Sequence, residues 1–374
     1  MYRGETQTMK FTCNTKPFAD SLDLGIINQN VSNFHQKSCT VELTASEKML
    51  KINIEASQVF TEIHIPGKGE EGSATVFVDS ITLKNLASTL ESQTVTLQFD
   101  DNGLTIVSGK SKFTLPKLVD DADFDLKAPI VPDTTAGSIE ISRESWKFVK
   151  DFQMYAISMA YITPIYTKVW VGENGDVLVG DFDNSLFTHS VSSNLGRTCL
   201  LSDTIINLFN SLPAGSTIVP VDDSYVIQLK TDSYEYITQF TPQYEDDGSV
   251  GNYNSQIFLE MMQHEDSSAL QINTDAVTKA LNQALLLSTN SQDSITFSIE
   301  DGHLHLTDKN VDCDIEGSGS SENYKVDFNL ERLKKVIGNY KDETINVSPM
   351  KQEGDTVGIM VWNNKLTTIV AGDE

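Results

Sequence analysis

The sequence predicts an α+β protein made of six copies of one βαβββ unit, paired into three similar domains. Three observations predict it. Short alternating apolar runs, the period of a half-buried strand, recur along the whole chain. Six amphipathic stretches of helical period are interspersed, each preceded by one strand and followed by three. Clusters of Asp, Asn, Gly and Ser separate the strands at hairpin spacing.

The first repeat runs through KFTCN, a helix over 15–26, then SCTVELTA, MLKINIEA and QVFTEIHIPG. The second runs through SATVFV, a helix over 79–92, then TVTLQFD, GLTIVS and SKFTLPKL, with Asp100-Asp101-Asn102-Gly103 as its first turn. The third has SIEIS, a helix over 142–158, TKVWVGE, DVLVGDFD and SLFTHSVS, and the fourth GRTCLL, a helix over 202–212, STIVPV, YVIQLK and YEYITQF. The fifth has ALQIN, a helix over 273–289, SITFSIED, HLHLTDK and VDCDIEG; the sixth NYKVDF, a helix over 329–341, ETINVSPM, VGIMVW and LTTIVAG. Asp79, Ser142, Ser202, Asn273 and Asn329 stand at helix starts, where a short oxygen-bearing side chain caps the free N–H groups. Breaks rich in Asp, Pro or Gly fall at 120–137 and 242–256. The expected domains are therefore 9–127, 136–245 and 254–374, with residues 1–8 as an N-terminal extension.

GLTIVSGKSKFTLPKL (103–118) carries Gly, Lys and Ser in phosphate-loop order, but five residues rather than four separate its glycines. The alternating, proline-containing FTLP follows where a helix would have to start. The stretch reads as two strands joined at Ser108-Gly109-Lys110-Ser111. No paired carboxylates, nucleophile–base motif or metal spacing points to an enzyme. His303 and His305 share a strand face without a clustered third ligand, and Cys13, Cys39, Cys199 and Cys313 are scattered as reduced thiols would be. Neither metal nor cofactor is expected. No apolar run is long enough for a membrane helix and no signal-peptide core is present, so a cytoplasmic protein is expected.

The formal net charge is −26, yet the six helix windows together carry +1. Acid lies on strands and loops and spares the helices. At about 100° per residue, Lys147 and Lys150 fall within about 40° of Arg143, while Ser145, Phe148, Val149, Phe152, Tyr155 and Ala156 gather opposite. In the last helix Leu330, Leu333, Val336, Ile337 and Tyr340 share one face, and Arg332, Lys334 and Lys335 lie on the other side.

This order of repeats resembles the bacterial DNA sliding clamp, the beta subunit of the replicative DNA polymerase III. MKFT (9–12), the 103–118 hairpin, TPQYEDD (241–247) and FNLERLKKVI (328–337) are similar to segments of that family. The resemblance implies a DNA-clamp fold and a head-to-tail homodimer, a ring whose helices line a hole that passes duplex DNA. It implies a non-enzymatic processivity factor at the replication fork, with double-stranded DNA, DNA polymerase and clamp loader as partners. Retention would be topological, with contacts to phosphates and no base readout. The expected DNA-facing residues are Arg143, Lys147, Lys150, Lys84, Lys279, Arg332, Lys334 and Lys335. The resemblance places Phe113, Leu286 and Leu287 at the dimer interface, with Lys110 and Lys112 facing acid near Asp312, Asp314 and Glu316. It places Leu186, Pro242, Ile369 and Val370 in a pocket for partner peptides.

The sequence departs from the family at that pocket. Asp183-Asn184-Ser185-Leu186 replaces the Gly-His-Arg-Leu loop, TTIVAGDE replaces the usual terminus, and Asp246 and Asp247 stand where the family has arginines. The divergence points to dedicated partners, such as those of a phage or another mobile replicon. The alternative is a clamp-like acidic interaction protein, a decoy that holds replication partners without encircling DNA.

Overall fold

The computed structural model describes residues 9–26, 40–56, 59–118, 126–132, 137–158, 168–180, 185–190, 195–244, 259–263, 269–288, 290, 293–319, 321–352 and 354–373. Six longer helices stand at the six predicted places: α1 (Thr15–Gly25), α2 (Ser80–Ala87), α3 (Arg143–Ser158), α4 (Asp203–Ser211), α5 (Thr274–Leu287) and α6 (Leu330–Ile337). Asp79, Asn273 and Asn329 cap α2, α5 and α6 by accepting from Thr82, Ala276 and Arg332 N–H groups at 2.7, 2.8 and 3.0 Å. Ser202 does not cap α4 with its side chain; Asp203 Oδ1 instead accepts from Thr204 N at 2.9 Å.

Two helices, α2 and α6, end a full turn or more before their predicted limits. After Ala87, Thr89 and Leu90 N–H reach back only three residues, and the Ser88 and Thr89 hydroxyls donate to the carbonyls of Asn85 and Leu86. Those hydroxyls compete with the backbone for the carbonyls that would continue the helix. In α6 Gly338 stands at the C-cap, and the Asn339 and Tyr340 N–H groups likewise close three-residue turns.

The described residues form two compact units, the first within 1–147 and 201–243, the second within 148–200 and 244–374. The first holds a five-stranded sheet and an eight-stranded sheet; the second holds a four-stranded sheet and a ten-stranded sheet, at one edge of which lie Gln243–Tyr244 and Cys199–Leu201. The three strands that follow each helix pair antiparallel through hairpins, as in Thr40–Ser46 with Met49–Ala56 and Ser294–Glu300 with His303–Thr307. At the predicted hairpin, Ser108 faces Ser111 across a two-residue turn, and Gly109 takes a left-handed φ of 58° that a side chain would disfavour.

The larger sheets show how repeats combine. The closing strand of the first repeat, Val59–Pro66, pairs with that of the fourth, Glu235–Phe240, from Glu235↔His64 to Phe240↔Val59. The closing strand of the third, Ser185–Ser190, pairs with that of the sixth, Leu366–Ala371. The rule is one repeat with the third one after it. The second and fifth repeats would be the remaining pair, but their closing strands, Ser111–Pro116 and Asp312–Glu316, each stand at the edge of a separate sheet.

Helix packing follows the apolar stripes with one correction. Trp146 falls beside the basic stripe on the helical wheel, yet it is fully buried, its ring 4.8 Å from Phe209 of α4 in an edge contact. Asn210 Nδ2 donates to the Trp146 carbonyl at 3.0 Å. The core face of α3 therefore extends further round the helix than the wheel alone indicates.

The join between the first and fourth repeats carries a charged cluster. His64 lies 2.7 Å from Glu62 and 3.5 Å from Glu235, and Lys51 lies 2.7 Å from Glu62. The hydrogen bond from His64, with Lys51 adding to it against burial, holds the Glu62 carboxyl down to about 2; the Glu62 contact raises His64 above the ordinary histidine value. A raised histidine stabilises the fold fully below about 6.5 and loses that contribution as pH rises through its folded pKa. A depressed carboxylate stabilises above about 4.3 and loses it as pH falls towards the folded value. The cluster thus contributes most between those limits. His64→Gln is expected to cost about 1 kcal/mol near pH 5.5 and less at pH 9, read by thermal melts across pH. A pH-independent difference would contradict this.

Candidate nucleic-acid interface and protein-docking surfaces

The helices present cations as the stripes predict. Arg143, Lys147 and Lys150 of α3 are exposed, while Val149 and Phe152 are buried, Phe152 stacking on Phe187 at 4.4 Å. Lys279 of α5 and Lys335 of α6 are exposed, and Lys334 is half-buried above a face of buried Leu330, Leu333, Val336 and Ile337. The side chains of Phe148, Tyr155 and Ala156 lie outside the described residues.

Two predicted contacts are differently placed. The Arg332 guanidinium donates to the Ala371 carbonyl and pairs with Asp373, and its side chain is only 18% exposed, so its charge is largely answered within the chain. Lys84 pairs with Asp23 of α1 at 3.2 Å. It borders a depression of about 400 Å³ lined also by Asp20, Leu24, Ser211 and Tyr234, where carboxylates outnumber the lysine.

The two unmatched closing strands differ in kind from the matched ones. Along Ser111–Pro116 all residues except Leu115 are exposed, including Lys112, and Lys110 occupies the preceding turn. Along Asp312–Glu316 the exposed residues are Asp312, Asp314 and Glu316, with His303 Nδ1 2.8 Å from Asp314 on the neighbouring strand. One edge is basic and the other acidic. Apolar side chains accompany both: Phe113 is 36% exposed, Leu286 84% and Leu287 52%. Leu286 and Leu287 end α5, so their exposure is not that of an ordinary buried stripe.

The predicted peptide-pocket residues divide. Leu186 and Ile369 are register partners and belong to one buried cluster with Trp170, Leu178, Met360 and Trp362. Val370, adjacent to Ile369 on its strand, must point to the opposite sheet face and is fully buried there. Pro242 is buried and belongs to the first unit, while this grouping belongs to the second. Asp183, Asn184, Asp246 and Asp247 lie outside the described residues. Strands such as VWV and GIMVW are apolar at adjacent positions, the mark of a sheet covered on both faces. That signal could have disclosed the Trp170–Trp362 cluster, which sequence reasoning missed.

Among the described residues no cluster of three metal-ligating side chains occurs, and no helix is long and apolar enough to cross a membrane. Burial pushes the Cys13 and Cys199 thiols up to about 12, far from thiolate chemistry. Cys39 lies outside the described residues.

Residues 9–126 match the family model of the DNA polymerase III beta subunit, N-terminal domain. The fold of the whole chain is similar to the Caulobacter crescentus beta sliding clamp (TM-score 0.73, 15% identity), covering 98% of this chain and 100% of that one. It is equally similar to the DNA polymerase sliding clamp of Bacillus subtilis, at TM-score 0.73, 15% identity and the same coverage of 98% and 100%. The DNA polymerase III beta chain of Streptococcus pneumoniae gives TM-score 0.74 at 15% identity, again over 98% and 100% of the two chains. No curated protein sequence matches the chain.

Proposed function

We propose, for a chain with the sliding-clamp fold and the family's N-terminal domain, that it is a ring-forming processivity factor that encircles duplex DNA and tethers a polymerase to it. The carrying observation is the pairing rule. The first and fourth closing strands pair, the third and sixth pair, and the second and fifth are left as opposed basic and acidic edges. A second copy supplies the missing partner for each. Ser111–Pro116 of one protomer meets Asp312–Glu316 of the other, and the same contact made twice closes a head-to-tail dimer in which neither closing strand is left unpaired. Phe113, Leu286 and Leu287 are the apolar centre of that joint, and Lys110 and Lys112 face the acidic edge.

In this ring three domains per protomer, 9–127, 136–245 and 254–374, place their helices inward. Arg143, Lys147, Lys150, Lys279, Lys334 and Lys335 then face DNA phosphates, and Lys84 and Arg332, with their local carboxylates, contribute less. A weakly basic bore inside an acidic protein retains DNA without gripping it, because closure rather than affinity prevents escape. Binding at helix faces without a groove-reading element gives no sequence specificity. Loading of the closed ring calls for a clamp loader, and Leu186 with Ile369 supplies a surface for partner peptides.

Particle images in solution test ring closure. The proposal expects a two-protomer annulus with an opening wider than a duplex. An open, single-protomer particle would instead favour the acidic decoy.

A further inference from the structure

The ten-stranded sheet of the second unit buries both of its faces by different means. One face meets the helices: Phe187 stacks on Phe152 of α3, and the Tyr340 hydroxyl sits 2.8 Å from Thr368 Oγ1. The other face carries Trp170, Leu178, Leu186, Met360, Trp362 and Ile369, all buried, and among the described residues none of the six helices contributes to that cluster. Its cover includes a short piece of the same chain. Met262 is 5% exposed within this cluster and Leu259 packs against it half-buried, whereas Glu260, Met261 and Gln263 are exposed.

Residues 259–261 are helical, and the Gln263 N–H donates to the Glu260 carbonyl at 3.2 Å. Among the described residues of this segment, Leu259 and Met262 hold it to the sheet, three residues apart, the spacing that places both on one helix face.

We propose that Leu259–Gln263 is a displaceable plug over a peptide-docking surface on this outer sheet face. A partner peptide presenting two aliphatic side chains at the same three-residue spacing expels it and takes its place. The inference rests on reading Leu186 and Ile369 as docking residues and adds that the chain competes for them with its own segment. Such competition lowers a peptide's apparent affinity by the fraction of time the surface is open. Only a partner with a better pair of anchors, or one held nearby by other contacts, would then engage.

The probe is a fluorescein-labelled peptide of the chain's own residues 256–263, QIFLEMMQ. Against the full chain, the Leu259→Ser/Met262→Ser double variant is expected to bind it about tenfold or more tightly than the wild type. The same peptide with both anchors changed to serine should bind neither. Equal binding to both proteins, abolished by Ile369→Asp, would keep the docking surface and overturn the plug. Binding to neither would overturn plug and docking surface together, leaving ring closure to be judged separately. Should the double variant fail to fold, hydrogen exchange on the wild type decides. Saturating peptide should accelerate exchange of the Met262 and Gln263 amides, and unchanged exchange at bound saturation would overturn the proposal.

Discussion

Replacing Phe113, Leu286 and Leu287 with alanine is expected to turn a dimer into a monomer at micromolar concentration. These side chains are exposed on a single chain, at 36%, 84% and 52%, beside edges of opposite charge. Burying a large apolar side chain is worth about 1.5–3 kcal/mol, and a two-fold ring buries each one twice. Even at about 1 kcal/mol per truncated side chain, six per dimer weaken association by roughly 6 kcal/mol, on the order of 10⁴-fold. Sedimentation equilibrium reads the mass directly. Added salt should weaken the wild-type dimer too, because the proposed joint sets the exposed Lys110 and Lys112 against Asp312, Asp314 and Glu316. An unchanged dimer mass in the triple variant would remove these residues from the joint.

The second large effect concerns DNA. Changing Lys147, Lys150, Lys334 and Lys335 to glutamate should weaken association with duplex DNA while leaving the dimer mass unchanged. Each lysine that loses a phosphate contact should flatten the dependence of log affinity on log salt by about 1. Titrations at several salt concentrations measure that slope. Arg332 gives an internal contrast. Its guanidinium is held by Ala371 and Asp373, so Arg332→Ala should lower the melting temperature more than it lowers DNA affinity. If the lysine reversals disturb only dimerisation, the helices do not face DNA.

Much of this architecture was legible in the sequence because the repeats express local rules. Strand alternation, hairpin turns and Asp79, Asn273 and Asn329 as caps depend on near neighbours, and the structure places them as read. The exposed stripe of Arg143, Lys147 and Lys150 is likewise a property of one helix. What escaped depends on partners distant in sequence. Trp146 is buried because Phe209 of another helix reaches it, and a helical wheel contains no such neighbour. Arg332 lies on the polar face of its helix, but its guanidinium is held by Ala371 and Asp373 of a distant strand and its flank. Val370 was placed with Ile369 in one pocket by the resemblance, although strand geometry sends the two to opposite faces. The matching of the first repeat with the fourth and of the third with the sixth was invisible too, since register between remote strands leaves no local mark.

The most direct measurement of the central idea compares retention on closed and open DNA. Protein loaded onto a nicked circular duplex should co-elute with it through gel filtration, and one restriction cut should release it as the ring slides off an end. Retention that is the same before and after the cut would show that the protein holds DNA by contact and not by encirclement.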